Sequence, residues 1–237
     1  LAISVVYPPL RCRAGGKIGA VPSTAPWTLL IPVKEFRIAK SRLTGVSSSV
    51  RQELALAFAC DVVAAGLGCS RVDEVVVVTN DPIAGTRVRE LGARVLPDVP
   101  DTGLNPALEY AAASVLARAP GAGLVVMSAD LPAARPVDLE AALTAAPPTR
   151  WFVPDLSGHG TTMLGAPPGH DLSPDFGPGS GDAHRASGAM EVTGPELVRL
   201  QLDVDTSADL GAAAELGVGA ATTEALTRVG WSEQLRR

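Results

Sequence analysis

The chain has 237 residues, a formal net charge of -5 and a composition that is 46% hydrophobic but only 4% aromatic. That length holds one large or two small domains, and with no long linker in its middle a single domain is expected. The apolar fraction excludes a disordered chain, and the negative balance argues against a general nucleic-acid binder, so any anion site has to be local.

Residues 1–26 are broken by prolines and glycines and carry no basic stretch ahead of their short apolar start; they read as a disordered extension or a start-site artefact, leaving a domain over 27–237. Cys12, Cys60 and Cys69 are odd in number and form no CxxC pair. Neither a disulfide scaffold nor a zinc site is supported, and the protein reads as cytoplasmic. No apolar run approaches the roughly 18 residues of a membrane span.

The first strand is predicted over about Trp27 to Val33, and it runs into PVKEFRIAKSRL, residues 32–43, which holds Lys34, Arg37, Lys40 and Arg42 against a single acid, Glu35. A helix over 49–66 follows from Leu54, Phe58, Val62 and Leu67 at helical spacing. The β-branched run VDEVVVVT, 72–79, predicts a strand buried on both faces, and Asn80-Asp81-Pro82 predicts a capped helix over 83–91. A short strand over 93–96, an Ala-rich helix over 106–118 and a buried strand over 123–128 come next. The last of these ends at Ala129-Asp130-Leu131-Pro132. A helix is predicted over 136–145, strands over 151–154 and 161–165 around the turn SGHG, and a Gly/Pro-rich loop over 166–183. A short helix near 183–189, a strand near 198–204 and helices over 207–216 and 222–229 complete the chain. Strands alternating with helices imply a single α/β domain, a mainly parallel sheet with flanking helices, and ligands beyond the carboxyl ends of the strands.

Three places on that edge can carry chemistry. Asp130 follows a buried strand, where a charge costs several kcal/mol unless offset; it is either a turn residue or a ligand. Asp203 and Asp205, in LQLDVDTSADL, share a face of an extended segment about 7 Å apart and repel by roughly 2 kcal/mol at an effective dielectric near 20. A divalent cation, best Mg²⁺, would remove that cost, while capping of the helix at 207–216 by Asp205 or Thr206 is the plain structural alternative. The basic loop would neutralise a bound triphosphate, or is a solvated turn; it is no Walker A loop, since GxxxxGK[ST] is absent. In PDFGPGSGDAHRASGA, 174–189, Gly177, Gly179, Ser180 and Gly181 would leave backbone N–H groups open to an anion, with His184 and Arg185 close behind; a plain surface loop fits the composition equally well. Thr161 and Thr162 could add a hydroxyl. The three histidines show no metal-ligand spacing, and no GxSxG motif occurs.

Taken together, PVKEFRIAKSRL, GLNPAL (103–108), SADLP (128–132), GHGTTML (158–164), FGPGS (176–180), HRASGA (184–189) and DVDTSADL (203–210) resemble the guanylyltransferases of coenzyme F420 biosynthesis, over about Thr28 to Val229. The resemblance implies a nucleotide-diphospho-sugar-transferase-like (Rossmann-like) fold, GTP as donor, Mg²⁺, and a small phosphorylated three-carbon acid as acceptor. It implies that Asp130, Asp203 and Asp205 hold metal and act in catalysis with Lys40. Lys34, Lys40 and Arg42 would face the triphosphate, Asn105 would border the nucleotide, and Thr161, Gly177 and Ser180 would hold the acceptor. Branches of the family differ in using phospholactate, phosphoenolpyruvate or a phosphoglycerate; DVDTSADL and RASGA are most similar to the branch for which phosphoenolpyruvate is implied. The substrates are then small molecules, with no nucleic acid or membrane and with a homodimer left open. Another nucleotidyl or nucleotide-sugar transferase on the same fold, or a non-catalytic GTP-binding regulatory subunit, stays open on the residues alone.

Overall fold

The computed structural model describes residues 27–34, 43, 47–99 and 101–231, and within them seven strands and eight helices follow one another. In chain order they are β1 (Trp27–Pro32), α1 (Ser48–Leu67), β2 (Val72–Val78), α2 (Pro82–Leu91), β3 (Arg94–Leu96), α3 (Leu104–Leu116), β4 (Gly123–Met127) and α4 (Pro136–Ala145), then β5 (Trp151–Pro154), β6 (Thr161–Ala166), α5 (Ser180–Ala186), β7 (Met190–Glu191), α6 (Val198–Gln201), α7 (Ser207–Leu216) and α8 (Ala220–Arg228). The sheet order is β3-β2-β1-β4-β6-β5-β7, and β6 alone runs antiparallel to its neighbours. Because β6 is reversed, its first residue, Thr161, lies on the edge where β1, β2, β4 and β5 end.

Strand periodicity sends successive side chains to opposite faces, and both faces are covered. Leu29, Ile31, Val75, Val77, Val125, Met127 and Val153 pack with Val62 of α1 and Leu139 of α4. Leu30, Val76, Val78, Val126, Phe152 and Leu164 pack with Leu108 and Ala111 of α3. The outer side of α1, through Leu54 and Phe58, meets Leu210 of α7, Ala225 of α8 and Trp231. Helix α1 is therefore buried on two sides, which explains an apolar pattern broader than one stripe. Its last expected core residue, Leu67, is instead 42% exposed.

The amino end of the sheet holds the bulkiest packing. Trp27 stands opposite Gly123, and Trp151 stands opposite Gly165. A Cβ on Gly123 would come within 2.8 Å of the Trp27 indole, and one on Gly165 within 2.1 Å of the Trp151 indole. The two indoles meet edge to face at 6.1 Å and 79°, a pairing that contributes about 0.5–1.5 kcal/mol beyond area burial.

The strand expected near 198–204 does not form. A 3₁₀ turn at Pro195–Leu197 leads into α6, and 202–205 forms no regular element and does not join the sheet. Proline at the start of the turn suits a helical entry, and Leu197 and Leu200 are both buried at helical spacing, so local sequence and packing agree on helix. The expected helix near 183–189 begins earlier, at Ser180. No helix of the described residues is long and apolar enough to cross a membrane.

Candidate active site

Two stitches place the acids. The Leu156 N–H donates to the Gln201 carbonyl at 3.0 Å, and the Val204 N–H donates to the Asp130 carbonyl at 2.9 Å. The segment 201–204 is thus tied at one end to the corner after β5 and at the other to the turn after β4, and Asp203 lies between. Its neighbours Leu202 and Val204 are buried while Asp203 and Asp205 are half-buried, so the alternation expected of a strand persists although no strand forms. Burial pushes the Asp203 carboxyl up to about 6, and the negative charges of Asp130, Asp205 and, more weakly, Asp155 push the same way. The structure therefore brings Asp130, Asp203 and Asp205 together.

The capping alternative for Asp205 is resolved by Thr206. Its Oγ1 accepts from the Asp209 N–H at 3.2 Å, and Asp209 Oδ2 accepts from the Thr206 N–H at 2.7 Å, a closed capping box at the start of α7. Asp205 gives its backbone N–H to Asp209 but is not the capping side chain. Asp155, absent from the sequence expectations, joins the acids from the end of β5. Its Oδ1 accepts from Ser157 Oγ at 2.9 Å and from the His159 N–H at 3.1 Å, which folds the SGHG turn. An acid followed two and four residues on by donors is a turn signal in sequence, and that reading hides its second role as a charge beside Asp203.

A second corner forms where β6 starts. Thr161 Oγ1 lies 2.9 Å from Nδ1 of His184, whose side chain is fully buried, and the Asp175 N–H donates to Nε2 at 3.0 Å. Burial, then the Arg150 charge, lowers the His184 pKa to about 4, against a smaller opposing effect of Asp175, so the ring is neutral. The Phe176 ring stands edge-on to the imidazole at 5.3 Å. Asn105, expected to border the nucleotide, instead uses its amide on the backbone of Phe176. Nδ2 donates to the Phe176 carbonyl at 3.0 Å, and Oδ1 accepts from the Phe176 N–H at 2.8 Å. It holds the loop that carries Gly177 and Ser180.

Of the N–H groups expected to be open at 177–181, those of Ser180 and Gly181 are taken up within the fold. The Ser180 N–H donates to the Gly177 carbonyl, and the Gly181 N–H donates to the His159 carbonyl at 2.8 Å. A Cβ on Gly181 would meet the carbonyls of His159, Gly160 and Gly158 at 2.9–3.0 Å, so the start of α5 sits directly on the SGHG turn. Ser180 is itself buried. Arg185 pairs with Asp182 and Glu191 at 2.7 Å each rather than facing an anion. Gly177, with φ of 154°, remains at the bend before the helix.

Lys34 is exposed just past β1, after Val33, whose N–H donates to the Val78 carbonyl. Lys40 and Arg42 lie outside the described residues. Among the described residues, no three His, Cys, Asp or Glu side chains form a ready-made metal cage. The donor set nevertheless suits one class of cation. Half-buried carboxylates such as Asp203, raised by burial and by the charges of Asp130 and Asp205, are hard oxygen ligands, and Mg²⁺ is characteristically held by one or two carboxylates, with water and substrate phosphates completing its shell.

Comparison with known proteins gives the family. The family model "Guanylyl transferase CofC like" matches residues 27–237. A phosphoenolpyruvate guanylyltransferase of Thermomonospora curvata is 50% identical over 204 residues, covering 86% of this chain and 90% of its own length; that of Streptomyces avermitilis is 48% identical over 205 residues, covering 86% and 95%. Among solved structures, a nucleotidyl transferase from Methanothermobacter thermautotroptrophicus superposes with a TM-score of 0.57 at 16% identity, over 81% of this chain and 97% of that one. A 4-diphosphocytidyl-2C-methyl-D-erythritol synthase gives 0.51 at 14% identity, over 81% and 99%. These last two share the fold, and the extent and identity of the sequence matches place the chain in the CofC-like guanylyl transferase family.

Proposed function

We propose that this protein transfers GMP from GTP to the phosphate of phosphoenolpyruvate and releases pyrophosphate, as a cytoplasmic step of coenzyme F420 biosynthesis. The observation that carries the reading is Asp203, grouped with Asp130 and Asp205 on the carboxyl edge, with its carboxyl raised to about 6 by burial and by their charges. The choice of acceptor is supported by the close relatives named for phosphoenolpyruvate.

In the step itself an oxygen of the acceptor phosphate forms a bond to the α-phosphorus of GTP. The bond from that phosphorus to the bridging oxygen breaks in line, and its electron pair leaves with pyrophosphate. A phosphomonoester has its second pKa near 6, so the nucleophile is largely deprotonated at neutral pH and no general base is required. His184 is not placed to be one, since both ring nitrogens are occupied. Asp130, Asp203 and Asp205 would hold Mg²⁺, which when bound supplies charge neutralisation at the phosphoryl oxygens. Lys34, Lys40 and Arg42 would take the triphosphate charge, and Thr161, Gly177 and Ser180 would hold the acceptor against the α-phosphorus, so catalysis rests on position and electrostatics.

The test is a pyrophosphate-release screen of GTP, ATP and CTP against phosphoenolpyruvate, 2-phospho-L-lactate and 3-phosphoglycerate, with and without Mg²⁺. Turnover confined to GTP with phosphoenolpyruvate and dependent on the cation is expected. Release with another acceptor would move the substrate assignment, and none with any pair would refute the reading.

A further inference from the structure

The imidazole of His184 joins three segments distant in sequence: Thr161 at the start of β6, Asp175 in the loop before the FGPGS bend, and α5, on which it is carried. A backbone N–H can only donate, so the Asp175 N–H fixes Nε2 as an acceptor. The ring proton then sits on Nδ1 and is donated to Thr161 Oγ1. Thr161 has to accept that bond, so its own hydroxyl proton is available only in another direction, and the residue stands on the edge where the strands end. The ring is held from outside as well: Phe176 lies edge-on to it, Phe152 lies at 6.0 Å, and Asn105 clamps the Phe176 backbone at both its N–H and its carbonyl. The charges nearest the ring are Arg150 and Asp175, and Arg150 is engaged with the Leu172 and Ser173 carbonyls.

We propose that His184 is a positioning residue for the acceptor substrate, a neutral imidazole of fixed tautomer that turns the Thr161 hydroxyl proton toward the acceptor and keeps the 175–177 loop in register with it. This rests on the reading above that the start of β6 and the FGPGS bend form the acceptor wall. A histidine that merely filled the core would need neither a fixed tautomer nor a partner at the strand edge. Thr161 would be the contact, and His184 would act through it.

Two measurements test this. The first is ¹⁵N NMR of the His184 ring in the wild-type protein, which needs no turnover: a neutral ring protonated on Nδ1 at pH 7 is expected, and protonation on Nε2 or on both nitrogens would overturn the proposal. The second is steady-state kinetics with GTP and phosphoenolpyruvate on wild type, His184→Asn, Thr161→Ala and the double variant. Asparagine reaches only the Nδ1 position, where its amide oxygen can accept from the Thr161 hydroxyl and turn that proton inward, and it loses the acceptor at Nε2. His184→Asn is expected to raise the acceptor KM about tenfold and to leave the GTP KM within about twofold, with the histidine effect falling below about twofold once Thr161 is alanine. An equal rise in both KM values, or a full effect in the Thr161→Ala background, would overturn it. Failure of the wild type to turn over phosphoenolpyruvate would count against the functional reading instead, and the ring measurement would still decide the tautomer.

Discussion

The acid corner and the imidazole corner share one edge of one sheet and are built on opposite electrostatic rules. Around His184 the polar atoms answer one another: donor faces acceptor at Asp175, at Thr161 and at both ends of the Asn105 amide. Around Asp203 like charges are pressed together, and its carboxyl is raised to about 6. One corner is complete as folded, whereas the other, on the proposed function, takes up a cation and phosphates. The difference teaches where binding energy can come from: preorganisation on the acceptor side, and relief of stored repulsion on the acid side.

Breaking the acid corner has the largest expected effect. Asp203→Asn keeps the shape but removes a charge that the folded chain holds at a cost. It is expected to lower kcat by about a thousandfold, ~4 kcal/mol of transition-state stabilisation, while leaving metal-free stability unchanged or raising it by about 1–3 kcal/mol. Pyrophosphate release beside a urea titration in chelator reads both. A variant that is inactive because it is unfolded, or that turns over like wild type, would end the metal assignment.

The next effect separates the corners by pH. The Asp203 carboxyl, ordinarily near 3.8, is raised to about 6, so between those values the native state binds more protons than the unfolded one and stability falls as pH rises. The imidazole of His184, ordinarily near 6.5, is lowered to about 4, so there the unfolded state binds more protons and stability falls as pH falls. The windows overlap and the slopes oppose, so metal-free wild type should vary little across them. Asp203→Asn should then unmask a loss of about 3 kcal/mol from above pH 6.5 down to pH 4. Denaturant midpoints at half-unit pH steps check this, and a wild-type slope already as steep as the variant's would show that the acid corner is not strained.

What sequence made legible follows the same division. Continuous apolar runs such as VVVV at 75–78 and GLVVM at 123–127 specify buried strands by themselves, and an aspartate at the end of such a run, Asp130, stands out because its charge needs an explanation. The Asp203/Asp205 pair was equally visible because its alternation is local. Asp155 escapes the sequence reading because its nearest partners make it look like a turn residue, and the Asn105 clamp is invisible there because its amide is matched to a backbone 71 residues away. The Gly181 N–H, expected to be open, is occupied for a related reason: its partner is the SGHG turn, and only the fold brings the two together. Long-range hydrogen bonds leave no periodicity to read.

The smallest expected effect sharpens the comparison most, because Lys34 is proposed to serve the other substrate. Lys34 is exposed beyond β1, and a solvated charge contributes little, so Lys34→Ala should raise the GTP KM only about fivefold, ~1 kcal/mol, and leave the acceptor KM alone. Its effect should shrink further in high salt, since screening acts on exposed charges, whereas the acceptor-side effect of His184→Asn should hold. The two variants then form a reciprocal pair, each moving one substrate and not the other. If Lys34→Ala moved both KM values together and did so independently of salt, the edge would work as one coupled surface, and its division into a triphosphate wall and an acceptor wall would fail.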